Sequence, residues 1–271
     1  MLATKLLLVP GFLLLISLAS ARWGASIGGW LAGLPVVAGP ILYILMAENG
    51  SAFTTLAATA SLSAVFASLS FSIAYAHAAL KIAWPFALVG ALSAWLIAAQ
   101  LLSHLSLNVW GAGFVAFAAL LVAPRLFPKQ TIEQPRREMS RVEVCLRMLC
   151  GAGLTLFVSM VASHVGAQWS GLFSVFPVLG IVLAVFSHKN QGARFSSALL
   201  SAMSLGLYSF AAFCLTLAIS LPKMPAPSAF LVATLASLIV QFVSRQRLAS
   251  RSTQPRSMPN FCEHSKLTEL P

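Results

Sequence analysis

The sequence predicts an all-α polytopic membrane protein of about nine transmembrane helices, built as two four-helix inverted repeats joined by a linking helix. Three observations lead there. Apolar runs of span length follow one another along 271 residues that are 59% hydrophobic and 8% charged, with a mean hydropathy of +0.88, and ~20 such residues cross a ~30 Å hydrocarbon core. The chain also repeats itself without a gap at an offset of 142, pairing Gly24 with Gly166, Gly29 with Gly171, Pro35 with Pro177, Gly50 with Gly192, Lys81 with Lys223 and Pro85 with Pro227. The matches concentrate in Gly and Pro, the residues with special backbone demands. Finally, the number of runs is odd.

The first run, near 5–21, follows Lys5 and ends on Ala19-Ser20-Ala21, imitating a cleavable signal peptide. Ser17 to Ala21 align with Ser159 to Ser163 of the second copy, where cleavage has no meaning, so this run reads as a retained span. Runs near 27–46, 51–76 and 82–102 complete the first copy, separated by polar or Gly/Pro breaks. Those near 143–163, 168–187, 193–220 and 227–244 form the second. Between the copies lies a fainter run, 106–123, interrupted by Asn108, Gly111 and Gly113.

Parity sets the architecture. A four-helix unit ends on the side where it began, so one further crossing makes the second unit enter from the opposite face. Charge placement agrees, since cytoplasmic loops hold the excess of Lys and Arg. With the N-terminus outside and the C-terminus cytoplasmic, the inner loops carry Arg22, Lys81, the group from Arg125 to Arg147, Lys189 with Arg194, and the tail from Arg245. The outside keeps Lys5, Glu48, His104, His164 and Lys223. Were 106–123 not to cross, the copies would be parallel. The chain thus divides into 1–102 (first repeat), 103–141 (linking helix and basic loop), 142–247 (second repeat) and 248–271, a Ser-, Pro- and charge-rich tail expected to be disordered.

The net charge of +11 sits mainly in 125–147 and the tail, as topology signals do, without the basic and aromatic interleaving that would argue for nucleic acid. Cys145, Cys150, Cys214 and Cys262 have unrelated spacings, with no CxxC and no Cys/His pairing suited to zinc. No catalytic, metal-ligand, nucleotide-phosphate or dinucleotide motif is present, so neither enzyme nor cofactor is expected. The partners expected are the bilayer, an unidentified small solute and, as an open option, further copies of the chain.

Candidate functional residues gather around the repeated breaks. Pro35 and Pro177 fall near the middle of the second and seventh runs, where a missing N–H and a ring clash strand a carbonyl near residue i−4. Such a break inside a membrane is tolerated against protein or a cavity, and inverted-repeat transporters build midplane sites from discontinuous helices of this kind. A simple proline kink packed by small residues is the other reading. Glu48, the sole carboxylate before Glu133, is a proton- or cation-coupling candidate if desolvated, and otherwise an interfacial turn residue. Arg22 and His164, at equivalent breaks, would attract an anionic group or anchor the topology. Gln168, Trp169 and Trp30 would line a vestibule, or the two tryptophans would mark the interface. Serines 61, 63, 68, 70 and 72, faced by 201, 204 and 209, mix helix faces and let helices pack closely.

Each copy resembles the GlpM-like small four-helix inner-membrane proteins of bacteria, in Trp30-Leu31-Ala32-Gly33-Leu34-Pro35, in Ser170 to Pro177 and in the close on Lys81 to Pro85 and Leu96-Ile97. The resemblance implies a bacterial inner-membrane location, a loose link to polysaccharide production, no catalytic residues, and a head-to-tail pair of single-copy units made covalent. The function expected is a transporter or permease of a small solute, anionic or amphiphilic, working by alternating access between the inverted repeats. Its rival is a non-transporting accessory or scaffold subunit for envelope polymer biosynthesis.

Overall fold

The computed structural model describes residues 2–32, 34–35, 38–128, 141–162, 169, 172–173 and 175–252, and these are entirely α-helical and loop. Nine helices occur among the described residues: α1 Leu2–Trp23, α2 Ala25–Ala32, α3 Ala38–Ala79, α4 Trp84–His104, α5 Val109–Leu126, α6 Arg141–Ala162, α7 Val178–Gln191, α8 Ala193–Ser220 and α9 Ala226–Ser252. Five are long and apolar enough to cross a membrane: α3, α4, α5, α8 and the 226–244 part of α9.

Burial ranks them. The most apolar windows of α3 and α8 are 72% and 67% buried, against 33%, 28% and 22% for α4, α5 and α9. α3 and α8 therefore form a central pair, with α4 and α5 against α3, α2 and α9 against α8, and α5 touching both. Small residues make the close approach workable: Ala57, Ala58, Ser61, Ala64 and Ala67 of α3 are all buried. Serine hydroxyls of α3 donate within their own helix, Ser61 Oγ to the Ala57 carbonyl (2.8 Å) and Ser72 Oγ to that of Ser68 (2.9 Å). This is the close-packing role expected for them. Outward, Phe114, Ile97 and Phe242 expose large apolar surfaces suited to lipid.

Two expected spans have a different form. The second is interrupted: α2 ends at Ala32 and helix resumes at Ala38. The resumed stretch then runs into the third expected span as one bent element, its arms 38–49 and 51–79 meeting at Gly50 (φ 80°, ψ −179°). The seventh is likewise interrupted at its proline: residues 172–173 are helical, 175–177 are not, and α7 starts after Pro177. The faint fifth run forms an 18-residue helix. Asn108, read as an interruption, is its N-cap, accepting from the Gly111 N–H at 2.8 Å. Gly113, also read as a break, is a packing position facing Leu215 and Leu62. Pro124 inside α5 has no N–H for the Leu120 carbonyl, which instead accepts the Tyr208 hydroxyl of α8 at 2.9 Å. α9 runs on through Ser252, past the boundary at 247. The tail beyond it, Cys262 and the 129–140 stretch lie outside the described residues.

Local geometry recurs at the offset of 142. Gly192, between α7 and α8, has φ 92° and ψ 165°, nearly the backbone of Gly50 and outside the range L side chains favour. The Lys81 N–H donates to the Ala78 carbonyl at 2.9 Å, and the Lys223 N–H to that of Ser220 at 2.9 Å. The packing pairs similarly: α4 touches α7, and α9 touches α3.

Candidate functional site

The site is built from two broken strands of helix. Proline at 35 and at 177 deprives the carbonyls of Leu31 and Phe173 of their i+4 donor. Neither is left stranded, contrary to the expectation from proline alone. Leu31 accepts from the Leu34 N–H at 3.2 Å and Phe173 from that of Phe176 at 3.0 Å, a tightening to i+3 bonds. Each proline carbonyl then starts the next helix, accepting from Gly39 (2.8 Å) and Ile181 (2.7 Å). The same bonds form at both breaks, 142 positions apart.

The breaks meet. Leu34 and Phe176, the residues before each proline, line one cavity of 60 Å³ with Ser68 of α3 and Met203 of α8. Ser68 carries the only side-chain hydroxyl in its described lining. The space holds a water or two and little more. A second, larger cleft of 390 Å³ lies between α3, α4, the 105–108 turn and Leu172. Its described floor is Thr59, Ser63 and Leu172, and its mouth Leu56, Leu105 and Asn108.

The break before α3 is wedged tightly. Gly24 (φ 88°) turns the chain from α1 into α2. A Cβ on Gly29 would overlap the Leu199 carbonyl and Ala202, and one on Gly28 would overlap Ser20. These glycines let α2 lie directly on α8 and α1.

Trp30 is half-buried and faces α9. Its Nε1–H donates to Ser244 Oγ (2.9 Å), the Ser244 hydroxyl donates to the Gln241 carbonyl (2.8 Å), and Gln241 Nε2 donates back to the Trp30 carbonyl (3.1 Å). Trp169 belongs to another wall, packed on Phe173 (ring centroids 5.7 Å), which with Phe176 encloses Trp95 of α4. Trp95 is wholly buried, and its indole N–H has no partner among the described residues. Glu48 is exposed at the end of the first arm of α3, in the described lining of neither cavity. Arg22 is exposed at the end of α1, 6.0 Å from the Trp23 ring. His164 and Gln168 lie outside the described residues, as do Gly166 and Gly171.

Two polar groups escaped the reading of the chain. Arg147, inside the expected span 143–163 though counted among the inner-loop charges, is 2% exposed in α6. It donates to Ser17 Oγ of α1 at 3.2 Å, pairs with Glu143 one turn earlier and lies 5.5 Å from the Phe186 ring of α7. Glu143 at i−4 was the available signal that Arg147 belonged to a helix face. The Tyr75 hydroxyl shares a hydrogen bond with His188 Nδ1, 3.3 Å away across α3 and α7. The positions 142 away hold Leu217 and Met46, so this polar pair occurs in one half only.

Cys214 is buried, while Cys145 and Cys150 are exposed; all three are free thiols. Among the described residues no three His, Cys, Asp or Glu gather where they could hold a metal ion. Comparison of the chain with protein-family models, with curated proteins and with solved structures found no match.

Proposed function

We propose that this chain is a multi-pass membrane transporter of a small amphiphilic solute, working by alternating access between two inverted four-helix repeats joined by α5. The carrying observation is that the two helix breaks, with the same hydrogen-bond pattern, border one small cavity between α3 and α8. The repeat itself is supported by the matched φ at Gly50 and Gly192 and by the span-length α5 between the copies. Discontinuous helices facing each other at the junction of inverted halves are a recurrent transporter design. An amphiphilic cargo suits the surroundings better than an anion. Arg22 is exposed near Trp23, and the described linings of both cavities contain no charged side chain.

Cysteines placed singly along 30–40 and 172–182 test the reading by their reaction with aqueous reagents. Alternating access predicts labelling near Leu34 and Phe176 that changes with the side of reagent addition; uniform protection would refute it. Tags on both termini test the inversion, which requires them on opposite sides of the bilayer, the N-terminus outside. A non-transporting accessory subunit of the bacterial inner membrane, the role the GlpM-like resemblance implies, is the second reading. It is favoured by one observation, the smallness and apolar lining of the cavity between the breaks.

A further inference from the structure

We infer that the 390 Å³ cleft is a binding site for a neutral, hydroxyl-bearing single-chain amphiphile taken from the bilayer, and that Trp30 is the built-in plug of its counterpart on the opposite half. The inference rests on the inverted-repeat reading.

The cleft's volume falls within the ~300–1,000 Å³ of small-molecule sites. Its ends differ. At the mouth Leu56 is 62% and Leu105 42% exposed, whereas Thr59, Ser63 and Leu172 on the floor are at most 8% exposed. The floor hydroxyls already donate to their own helix, Thr59 Oγ1 to the Thr55 carbonyl and Ser63 Oγ to that of Ala60, both at 2.9 Å. Their remaining capacity is as acceptors, so the ligand must bring a donor. A ligand hydroxyl supplies that donor without bringing a charge. With no charged side chain in the described lining, an ionised head would be desolvated without compensation. The head therefore lies inward and the chain runs out over Leu56 and Leu105.

The counterpart position shows what such a site looks like when filled. Shifting by 142 turns Leu172, Leu102 and Ala60 into Trp30, Ser244 and Ala202. There the indole of Trp30, an apolar body with one N–H donor, bonds Ser244, while its neighbour Gly29 presses on Ala202. One half thus carries its own hydrogen-bonding amphipathic group, and the other carries leucine and a cleft. Two quasi-equivalent entrances, one open and one plugged, are what alternating access requires of inverted halves.

The test uses the full chain in nanodiscs and a monoacylglycerol bearing a diazirine beside its ester, with the fatty acid of equal length and diazirine position as comparison. Photolabelling followed by peptide mapping should mark the peptides containing Thr59 and Leu102, with the monoacylglycerol at least about tenfold above the carboxylate. Thr59→Val with Ser63→Ala, which removes both acceptors with little change of shape, should lower that labelling about tenfold. Leu172→Trp, which copies the plug, should abolish it with the thermal midpoint maintained. Trp30→Leu should create a second labelled site around Ser201 and Ser244. Labelling spread evenly over the lipid-facing positions Ile97 and Ile239, equal labelling by the carboxylate, or no response to the acceptor-free variant would overturn the assignment. Labelling without transport in vesicles would leave the site standing and remove the transporter reading, whereas transport without labelling would do the reverse.

Discussion

Arg147 of α6 donates to Ser17 of α1 across 3.2 Å, so a buried cation joins the first helix to a partner 130 residues away. Its countercharge is Glu143 on the same helix. Desolvating such a pair costs about as much as its attraction returns, whereas removing one partner leaves the other charge buried and uncompensated. Glu143→Gln is expected to destabilise by about 3 kcal/mol, and adding Arg147→Met should recover most of the loss. Unfolding of the purified protein in graded SDS, run as a double-mutant cycle, checks this. A double variant weaker than either single would refute it.

Gly29 and Gly90 make opposite predictions for the same substitution. A Cβ at Gly29 meets backbone of α8, whereas at Gly90 it meets nothing within 4 Å. Gly29→Ala should cost about 1–3 kcal/mol by overpacking. Gly90→Ala, inside α4, should be neutral or stabilise by up to about 1 kcal/mol. The same SDS titration measures both, and equal effects would show that α2 is not wedged on α8.

Gly50 and Gly192 should respond alike. With φ at 80° and 92°, each sits where a Cβ is strained, and among the described residues neither has a neighbour that would add a clash. Alanine at either should cost roughly 1–3 kcal/mol. Agreement within the error of the melts is the expected outcome, and a large cost at one alone would break the equivalence of the two bends.

Trp30→Phe keeps the ring and removes the donor to Ser244. A loss of about 1 kcal/mol is expected, with Ser244→Ala costing a similar amount and the pair less than the sum, since both act on one bond. Full additivity in the thermal midpoints would show that the bond contributes nothing.

The prolines were legible because their effect is local. A missing N–H at 35 or 177 interrupts a helix whatever surrounds it, and only the rescue of the Leu31 and Phe173 carbonyls needed coordinates. The glycines at 50 and 192 were legible as a pair for the same reason. α5 was half-legible: Asn108 and Gly113 look like breaks in a one-dimensional pattern, yet one is a cap and the other a contact surface. The helix around Arg147 was legible as the run 143–163, but its burial was not, because Ser17 and Phe186 supply it and no window around residue 147 contains them. The clefts were illegible altogether, since their walls depend on which helix faces meet, and alanine and serine fit many such arrangements equally well.

Pro124 leaves one carbonyl of α5 free, and the Tyr208 hydroxyl takes it. That fastening ties α5 to α8 by a hydrogen bond, while α5 also packs along α3, so one helix bridges the central pair. Any rearrangement that parts α3 from α8 must therefore also part α5 from one of them.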